Sequence, residues 1–402
     1  MRKIIFIASL IFIILSGLYW RTYFVDKSTE IKPPEWKNYT LDNISPRRFV
    51  DLAYDSQNNP HIFYFAEMTK EGIKHVYSNN TIEDYYDKGR VWHSETFKSG
   101  KDTGFFISAE NSNDSIYVSF QDYMIANEKL YLAKINENNS QVFTVDDRTK
   151  SGLNAGMYSS ICLVDEKPYI IYHVEEGKKL MLADPNLNLK LLETGTGWNI
   201  DCISDNKSIF VGYRGRDDMN LRLGVYDISS DSWKSKRYNY NASSVAVFLW
   251  NSTPYVVFYN HDDKGIYLSN FFNFNPKKIA NGYETLLTAD TSKDNVYILY
   301  FKYGKGLYLI NSSNLRNFTQ IKIDSGAKTG LFNALKVTPN DDIKIAYIDG
   351  NTLKYKEFER TSYLYKLNEQ TEKIKNDKFN ATVLSSIAFV LLLLSFVKIY
   401  HF

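Results

Sequence analysis

Cysteine is scarce, with two in a chain of 402 residues. One pair cannot staple a chain of this size, which excludes the disulfide-dense scaffolds and leaves stability to an ordinary core. The 20 glycines and 9 prolines are too few for a fibrous or low-complexity protein. A surplus of one charge is missing too: 48 Lys and Arg stand against 46 Asp and Glu, a net of +2. Such a balance cannot displace counterions from phosphates, so nucleic acid is excluded as a partner. The histidines are spread along the chain, and no His-x-x-x-His or Cys-x-x-Cys spacing points to a transition metal; no cofactor is implied. Aromatics are plentiful. With 31 Tyr and 25 Phe, a permanently disordered chain is ruled out.

The apolar residues concentrate at the two ends. Arg2 and Lys3 precede an uncharged run from Ile4 to Trp20, which reads as a signal anchor or a signal peptide. Its cleavage pattern is poor, because Leu15 and Ile14 stand before Ser16-Gly17; no cysteine follows, which excludes a lipoprotein. A second run, 381–397, has no charge on any face and reads as a transmembrane helix with a short tail at 398–402. The expected layout is therefore 1–20 anchor or signal, 21–35 linker, 36–360 folded middle, 361–380 stalk, then the second span. The middle would lie outside the cytoplasmic membrane, although Lys373, Lys375 and Lys378 on the outer flank run against the positive-inside bias. An exported middle would offer its Asn-x-Ser/Thr sequons, among them Asn38, Asn79, Asn206 and Asn311, for glycosylation.

The middle repeats. A turn with Asp or Asn leads into a short apolar strand closed by an aromatic, as in Pro60-His61-Ile62-Phe63-Tyr64 and Pro168-Tyr169-Ile170-Ile171-Tyr172. The closing aromatics fall at 64, 120, 172, 213, 258, 300 and 347, mostly forty to fifty residues apart. That period, with several short strands per unit, predicts an all-β fold: a seven-bladed β-propeller of four-stranded blades. Trp36 to Leu41 resembles the outer strands that begin at Trp92 and Trp233, so it is expected to complete the last blade beside Leu353 to Phe358. Tyr363 to Leu367 is the runner-up for that role. This closure removes an exposed sheet edge. It also sends both tethers from one face and leaves the opposite face for function.

The succession of Asp-turn, Pro-His-hydrophobic-aromatic, Gly-Ile or Gly-Leu with Tyr, and Trp on an outer strand resembles the repeats of secreted sialidase-like propellers. The resemblance covers about 36–360 and implies the propeller fold more than an activity. Sialidases of that family carry Asp boxes; Ser230-Asp231-Ser232-Trp233 lacks the glycine and the spacing. They also clamp a carboxylate with three arginines. The resemblance would give the first of these to Arg47 or Arg48 and sets Arg214 and Arg216 in a loop of the fourth unit, with no third arginine in register.

Candidate binding residues lie at the entry to the first inner strand and in the polar loops after the closing aromatics. They are Arg48, Gln121, Asp122, His173, Glu175, Arg214, Arg216, Asp217, His261 and Asp262. Neighbouring carboxylates and histidines could ligate a cation or work as acid and base, and equally suit a solvated loop tip. Glycine elements such as Thr103-Gly104-Phe105, Ala155-Gly156-Met157 and Thr196-Gly197-Trp198 precede strands and not helices, so they serve backbone turning and not phosphate cradling. Cys162 and Cys202 hold matching places in adjacent units and are expected to be buried free thiols pointing the same way. The reading is a membrane-anchored extracytoplasmic propeller that binds a glycan, surface polymer or envelope protein. The alternatives are a sialidase-like hydrolase or lyase and a scaffold subunit.

Overall fold

The computed structural model describes residues 33–42, 46–66, 72–100, 102–123, 128–136, 139–282 and 286–400, with isolated positions in the first twenty. The chain divides into two compact units, one of residues 36–81 with 90–358, the other of 1–35, 82–89 and 359–402.

The first unit is a β-propeller. Its opening strand β1 (Trp36–Asp42) is followed by a four-stranded sheet of β2 (Pro46–Tyr54), β3 (Pro60–Ala66), β4 (Gly72–Ser78) and β5 (Trp92–Lys98). The second sheet holds β6 (Thr103–Asn111), β7 (Ile116–Asp122), β8 (Lys129–Asn136) and β9 (Asn139–Asp147). The third holds β10 (Ala155–Val164), β11 (Lys167–Val174), β12 (Lys179–Ala183) and β13 (Leu189–Thr194). A seven-stranded sheet follows: β14 (Thr196–Ser204), β15 (Ser208–Gly215), β16 (Asn220–Asp227), β17 (Ser232–Trp250), β18 (Thr253–Asn260), β19 (Gly265–Asn270) and β20 (Lys277–Asn281). Then come β21 (Leu287–Thr291), β22 (Val296–Lys302), β23 (Gly306–Ser312) and β24 (Thr319–Asp324). The last sheet is β25 (Asn333–Val337), β26 (Ile343–Asp349) and β27 (Thr352–Phe358), completed by β1.

The expected seven equal sheets thus stand as five separate four-stranded sheets and one of seven strands. The reason is local. A Ser-Gly step interrupts the chain before β6, β10 and β25, at Gly100, Gly152 and Gly326, each at positive φ. Between Ser232 and Trp250 there is no Gly or Pro, and β17 runs on for 19 residues. The strands β2, β6, β10, β14, β17, β21 and β25 lie each against the next, and β25 lies against β2, so the ring closes. Closure uses the strand expected from sequence: β1 pairs antiparallel with β27, Trp36 opposite Phe358 and Tyr39 opposite Tyr355. Tyr363 to Leu367, the other candidate, is helical.

The second strand of each sheet is the most buried, β7 along its whole length, as expected for sheets covered on both faces. The closing aromatic of that strand fastens neighbouring sheets. The Tyr172 hydroxyl donates to Asp146 on β9 at 2.7 Å, and the Tyr213 hydroxyl to Glu193 on β13 at 2.6 Å. The Tyr347 hydroxyl donates to Asp324 on β24 at 2.7 Å, and Tyr64 bonds Asp42 of β1 in the same manner. In each case a tyrosine reaches the outer strand of the preceding sheet. Tyr172→Phe keeps the volume and strands the buried Asp146 with one partner fewer, so it should cost about 1–3 kcal/mol. Chemical denaturation measures this; a loss no larger than that of an exposed Tyr303→Phe control would refute the lock.

The second unit is helical where described. Helix α1 (Ile82–Lys88) lies in the chain between β4 and β5, and α2 (Thr361–Tyr400) is continuous over 40 residues. The segment 361–380, read as a stalk, is therefore the first half of a helix: it lacks Gly and Pro and carries Lys366–Glu369 and Glu372–Lys375 pairs at i,i+3. Lys366 of α2 also approaches Glu83 of α1 at 4.0 Å. Among the described residues no helix is long and apolar enough to cross a membrane. Most of the 1–20 run, and most side chains of the 381–397 run, lie outside the described residues.

Candidate functional site: an aromatic mouth on a central channel

The seven innermost strands surround a cavity of about 810 Å³. Each runs in the same sense, so the residues where they begin form one mouth, with Phe49, Phe106, Tyr158, Asn199, Leu286 and Phe332 among them. One side of this mouth is an arc of rings. Centroids are 6.4 Å apart from Phe332 to Phe49, 4.7 Å to Phe106, 4.5 Å to Tyr158 and 5.5 Å to Trp198. All five rings are partly exposed. The other side is polar: Asn199 donates to the Ser243 carbonyl, and Thr288 to Asn333 at 3.1 Å.

Backbone strain holds part of the arc. Phe106, Tyr158 and Asn199 have φ of 49, 52 and 47°. That left-handed region is a genuine outlier for an aromatic residue and costs of order 1–3 kcal/mol each. Each sits in a bulge where pairing with the second strand slips, between Phe105 and Ser108, Met157 and Ser160, and Trp198 and Asp201. A glycine two residues earlier permits the bend. Gly156 has φ +97, and a Cβ there would come within 2.8 Å of Leu130. Gly104 and Gly197 repeat the pattern. Bulges of this kind re-aim side chains, and here they turn three consecutive sheets toward the mouth.

A polar cluster adjoins the end of the arc. Arg216 and Arg214 place their guanidinium carbons 4.1 and 4.8 Å from the Trp198 ring. Glu175 accepts from Arg216 at 3.1 Å and shares a hydrogen bond with His173 Nε2 at 2.9 Å. Burial opposes ionisation of Glu175, but the bonds from His173 and Arg216 outweigh it and hold its carboxyl below the ordinary value. Burial keeps His173 neutral by lowering its pKa, against the pull of Glu175. Burial also lowers Arg214, whose guanidinium makes one hydrogen bond among the described residues, a long one of 3.5 Å to the Ala242 carbonyl. Arg214 Nε, Trp198 Nε1, Ser243 Oγ and Gln121 Oε1 are buried without a hydrogen-bond partner among the described residues. Arg216 and Glu175, each about a third exposed, are the charged groups of this cluster within reach of a ligand.

Below the mouth the strands are tied around the ring. Asp51 accepts the amide of Ala109 at 2.8 Å, Asp201 that of Val247 at 2.8 Å, and Asp290 that of Val337 at 2.7 Å. Ser108 and Ser160 accept those of Ile161 and Cys202 at 3.0 and 3.2 Å. An inner strand is an edge strand, and its free amides are met by the preceding sheet. Deeper still, Lys336 pairs with Glu110. Burial raises Asp51 to about 7 and Asp201 and Asp290 to about 6, partly offset by these amide bonds and by Lys336.

Of the residues singled out from sequence, His173, Glu175, Arg214 and Arg216 come together around Trp198. Asp217 lies beside them and pairs with Lys178 at 2.7 Å. Gln121 is buried and donates to the Ala155 carbonyl at 2.9 Å, and Asp122 is buried at the end of β7. His261 stacks edge-on to Tyr259, and Asp262 accepts from Asn241 at 3.1 Å, away from the arc. Arg48 lies on β2, but its side chain, like that of Arg47, is outside the described residues. Among the described residues no group of three or more His, Cys, Asp or Glu is placed to hold a metal. The sequence does not single out the aromatic residues of the mouth; it marks three places on it only by the bulky pair after a glycine, Phe105-Phe106, Met157-Tyr158 and Trp198-Asn199.

No protein-family model matches the chain, and no curated protein is similar to it in sequence. Solved structures share the fold. A virginiamycin B lyase from Staphylococcus aureus, determined with quinupristin, superposes with a TM-score of 0.55 at 8% identity, over 81% of this chain and 100% of that one. YCF48 bound to a D1 peptide gives 0.53 at 11% identity, over 82% and 96%. A Trypanosoma rangeli sialidase gives 0.46 at 10% identity, over 85% and 62%, too distant to weigh on activity. The first two likenesses establish a β-propeller.

Proposed function

We propose that this chain is a seven-bladed, membrane-held binding propeller whose aromatic mouth takes a saccharide. The count of seven treats the long sheet as two blades. β17 pairs with β16 as far as Asn241 and with β18 from Ala242 onward, which supports that division. The observation that carries the binding function is the arc of partly exposed rings, held by strained backbone, with the partly exposed Arg216–Glu175 pair at its end. A sugar ring offers an apolar C–H face to stack on such rings and hydroxyls to bond the neighbouring guanidinium and carboxylate. Surface polymers built of sugars meet the same description. The peptide in the YCF48 structure makes a protein partner the competing outcome.

Membrane attachment is supported by apolar side chains that face outward. Ile7, Leu10, Ile11 and Ile14 in the first segment, and Val383, Ile387 and Val390 on α2, are exposed. Their i, i+3, i+4 and i, i+4, i+7 spacings each give one helical stripe. Trp36 and Phe358, where the chain enters and leaves the propeller, pair at the end of their sheet remote from Phe332. With tethers there, the mouth would face away from the bilayer. Resistance of the full-length chain to carbonate extraction, lost when 1–32 and 361–402 are deleted, tests the anchoring; release of the intact chain would overturn it.

Binding is tested with full-length protein in detergent on a glycan array, followed by titration of the best saccharide. Trp198→Ala and Tyr158→Ala should each weaken binding about tenfold, matching roughly 1–2 kcal/mol for a lost stacking surface. His261→Ala should leave it unchanged. Failure to bind any saccharide, or equal affinity in all variants, removes the proposal. Turnover of a sialoside above background would move the protein to the hydrolase class.

A further inference from the structure

Cys162 and Cys202 are free and buried, as expected, but they do not point the same way. Pairing with the second strands shows why. After the bulges Ser160 opposes Ile171 and Asp201 opposes Gly212, and these two positions are equivalent, each accepting an amide of the following sheet. Cys162 stands two residues beyond Ser160, whereas Cys202 stands one beyond Asp201. A single step along a strand reverses the face. Cys162 therefore faces forward and Cys202 backward, into one apolar cluster with Val164, Ile171, Val211 and Tyr213. The Cys202 thiol donates to the Ser160 carbonyl at 3.7 Å, and its amide to Ser160 Oγ at 3.2 Å, which draws β14 against β10. The Cys162 thiol donates to the Tyr169 carbonyl at 3.9 Å, so each thiol is held by a backbone carbonyl inside the same cluster.

We propose that Cys162 and Cys202 are a redox-controlled cross-link that joins the third sheet to its neighbour just beneath Tyr158 and Trp198. The inference goes beyond ligand binding and does not depend on it. One thiolate attacks a low-molecular-weight disulfide such as glutathione disulfide and releases one glutathione thiolate. The second cysteine then attacks the mixed disulfide, forms the Sγ–Sγ bond and releases the other. Two protons leave the protein thiols, and two electrons reduce the glutathione disulfide. Burial raises the Cys202 thiol well above its ordinary value and slows attack in the folded protein. The bond therefore forms while the sheets assemble, and it is shielded afterwards.

The experiment is synthesis of the full-length chain in a cell-free system with lipid vesicles, under either glutathione disulfide or dithiothreitol. Acid quenching, alkylation and mass analysis then follow. Under oxidant, both cysteines of the monomer should escape alkylation together, the chain should be lighter by two hydrogens, and its thermal midpoint should rise by several degrees over the reduced form. Cys162→Ser and Cys202→Ser should each show no rise and leave the remaining thiol alkylated or capped by glutathione. Two alkylated thiols in protein made under oxidant, or a cross-linked form that melts below the reduced one, would overturn the proposal. A disulfide between chains would do the same.

Discussion

Glu357→Ala should destabilise the propeller by about 3–5 kcal/mol, the cost of stranding buried charge. Glu357 lies on β27, the strand that β1 covers at ring closure, and its side chain is 0% exposed. Arg90, which enters the first sheet, donates to it at 3.2 Å from a side chain only 2% exposed. Arg90 also holds Asn59 Oδ1 at 2.9 Å, and the Tyr355 hydroxyl donates to Glu357 at 2.9 Å. Lys344, also fully buried, stands opposite Glu357 on β26. Burial works against the carboxylate, but Arg90 and Lys344 together hold it ionised. Removing it leaves two buried cations without their shared anion. Arg90→Ala should cost less, because Lys344 still neutralises Glu357. Urea unfolding of the two variants gives the comparison. Equal small losses, below about 1 kcal/mol, would mean that closure rests on the β1–β27 ladder alone.

As pH rises from 4 to 8, wild type should lose stability relative to Asp51→Asn, most of it before pH 7.5. The folded pKa of Asp51 is raised to about 7 from 3.8, chiefly by burial. A raised carboxyl favours the folded state while protonated, so its contribution is complete below 3.8 and is lost as pH climbs through 7. Asp201 and Asp290, raised to about 6, act in the same sense at lower pH. His75 has the opposite sign. Burial lowers it to about 4 despite the Glu95 bond, so its stabilising effect is lost as pH falls from 6.5 through 4. His173 is lowered likewise. Near 6.5 the histidines still titrate in the unfolded chain and oppose Asp51, so the Asp51 part is read as the difference between wild type and Asp51→Asn. Because water in the channel reaches part of these carboxylates, the Asp51 effect should total about 1–3 kcal/mol from pH 4 to 8. Thermal midpoints across that range decide it. A difference in midpoint between wild type and Asp51→Asn that stays constant from pH 4 to 8 would show that the amide bonds from Ala109 and Leu52 already favour the anion.

Much of this architecture is legible in one dimension. A blade strand must be apolar on both faces, and its closing aromatic must meet the sheet before it, so residues such as Tyr64, Tyr172 and Tyr213 recur at near-regular spacing. The same regularity exposes Trp36 to Leu41 as a strand displaced from its sheet. The site is legible only in pieces. His173, Glu175, Arg214 and Arg216 stand out as polar residues after closing aromatics, but the ring they surround, Trp198, belongs to another strand. Phe106 and Tyr158 look like core residues in a β run. Only a bulge with positive φ turns them to the mouth, and a bulge is a fact of pairing between strands.

By itself the sequence determined the all-β repeat, the strand that closes the ring and the apolar ends, because each follows from periodicity or composition along the chain. Tertiary structure decided which way side chains face. One residue of register placed Cys162 against Cys202, three bulges gathered the aromatic arc, and an unbroken β17 fused two sheets. Facing depends on how each strand pairs with another, and a period-two strand carries no local mark of which side its neighbour will take. The scarcity of cysteine, which first excluded a stapled fold, is in three dimensions one converging pair.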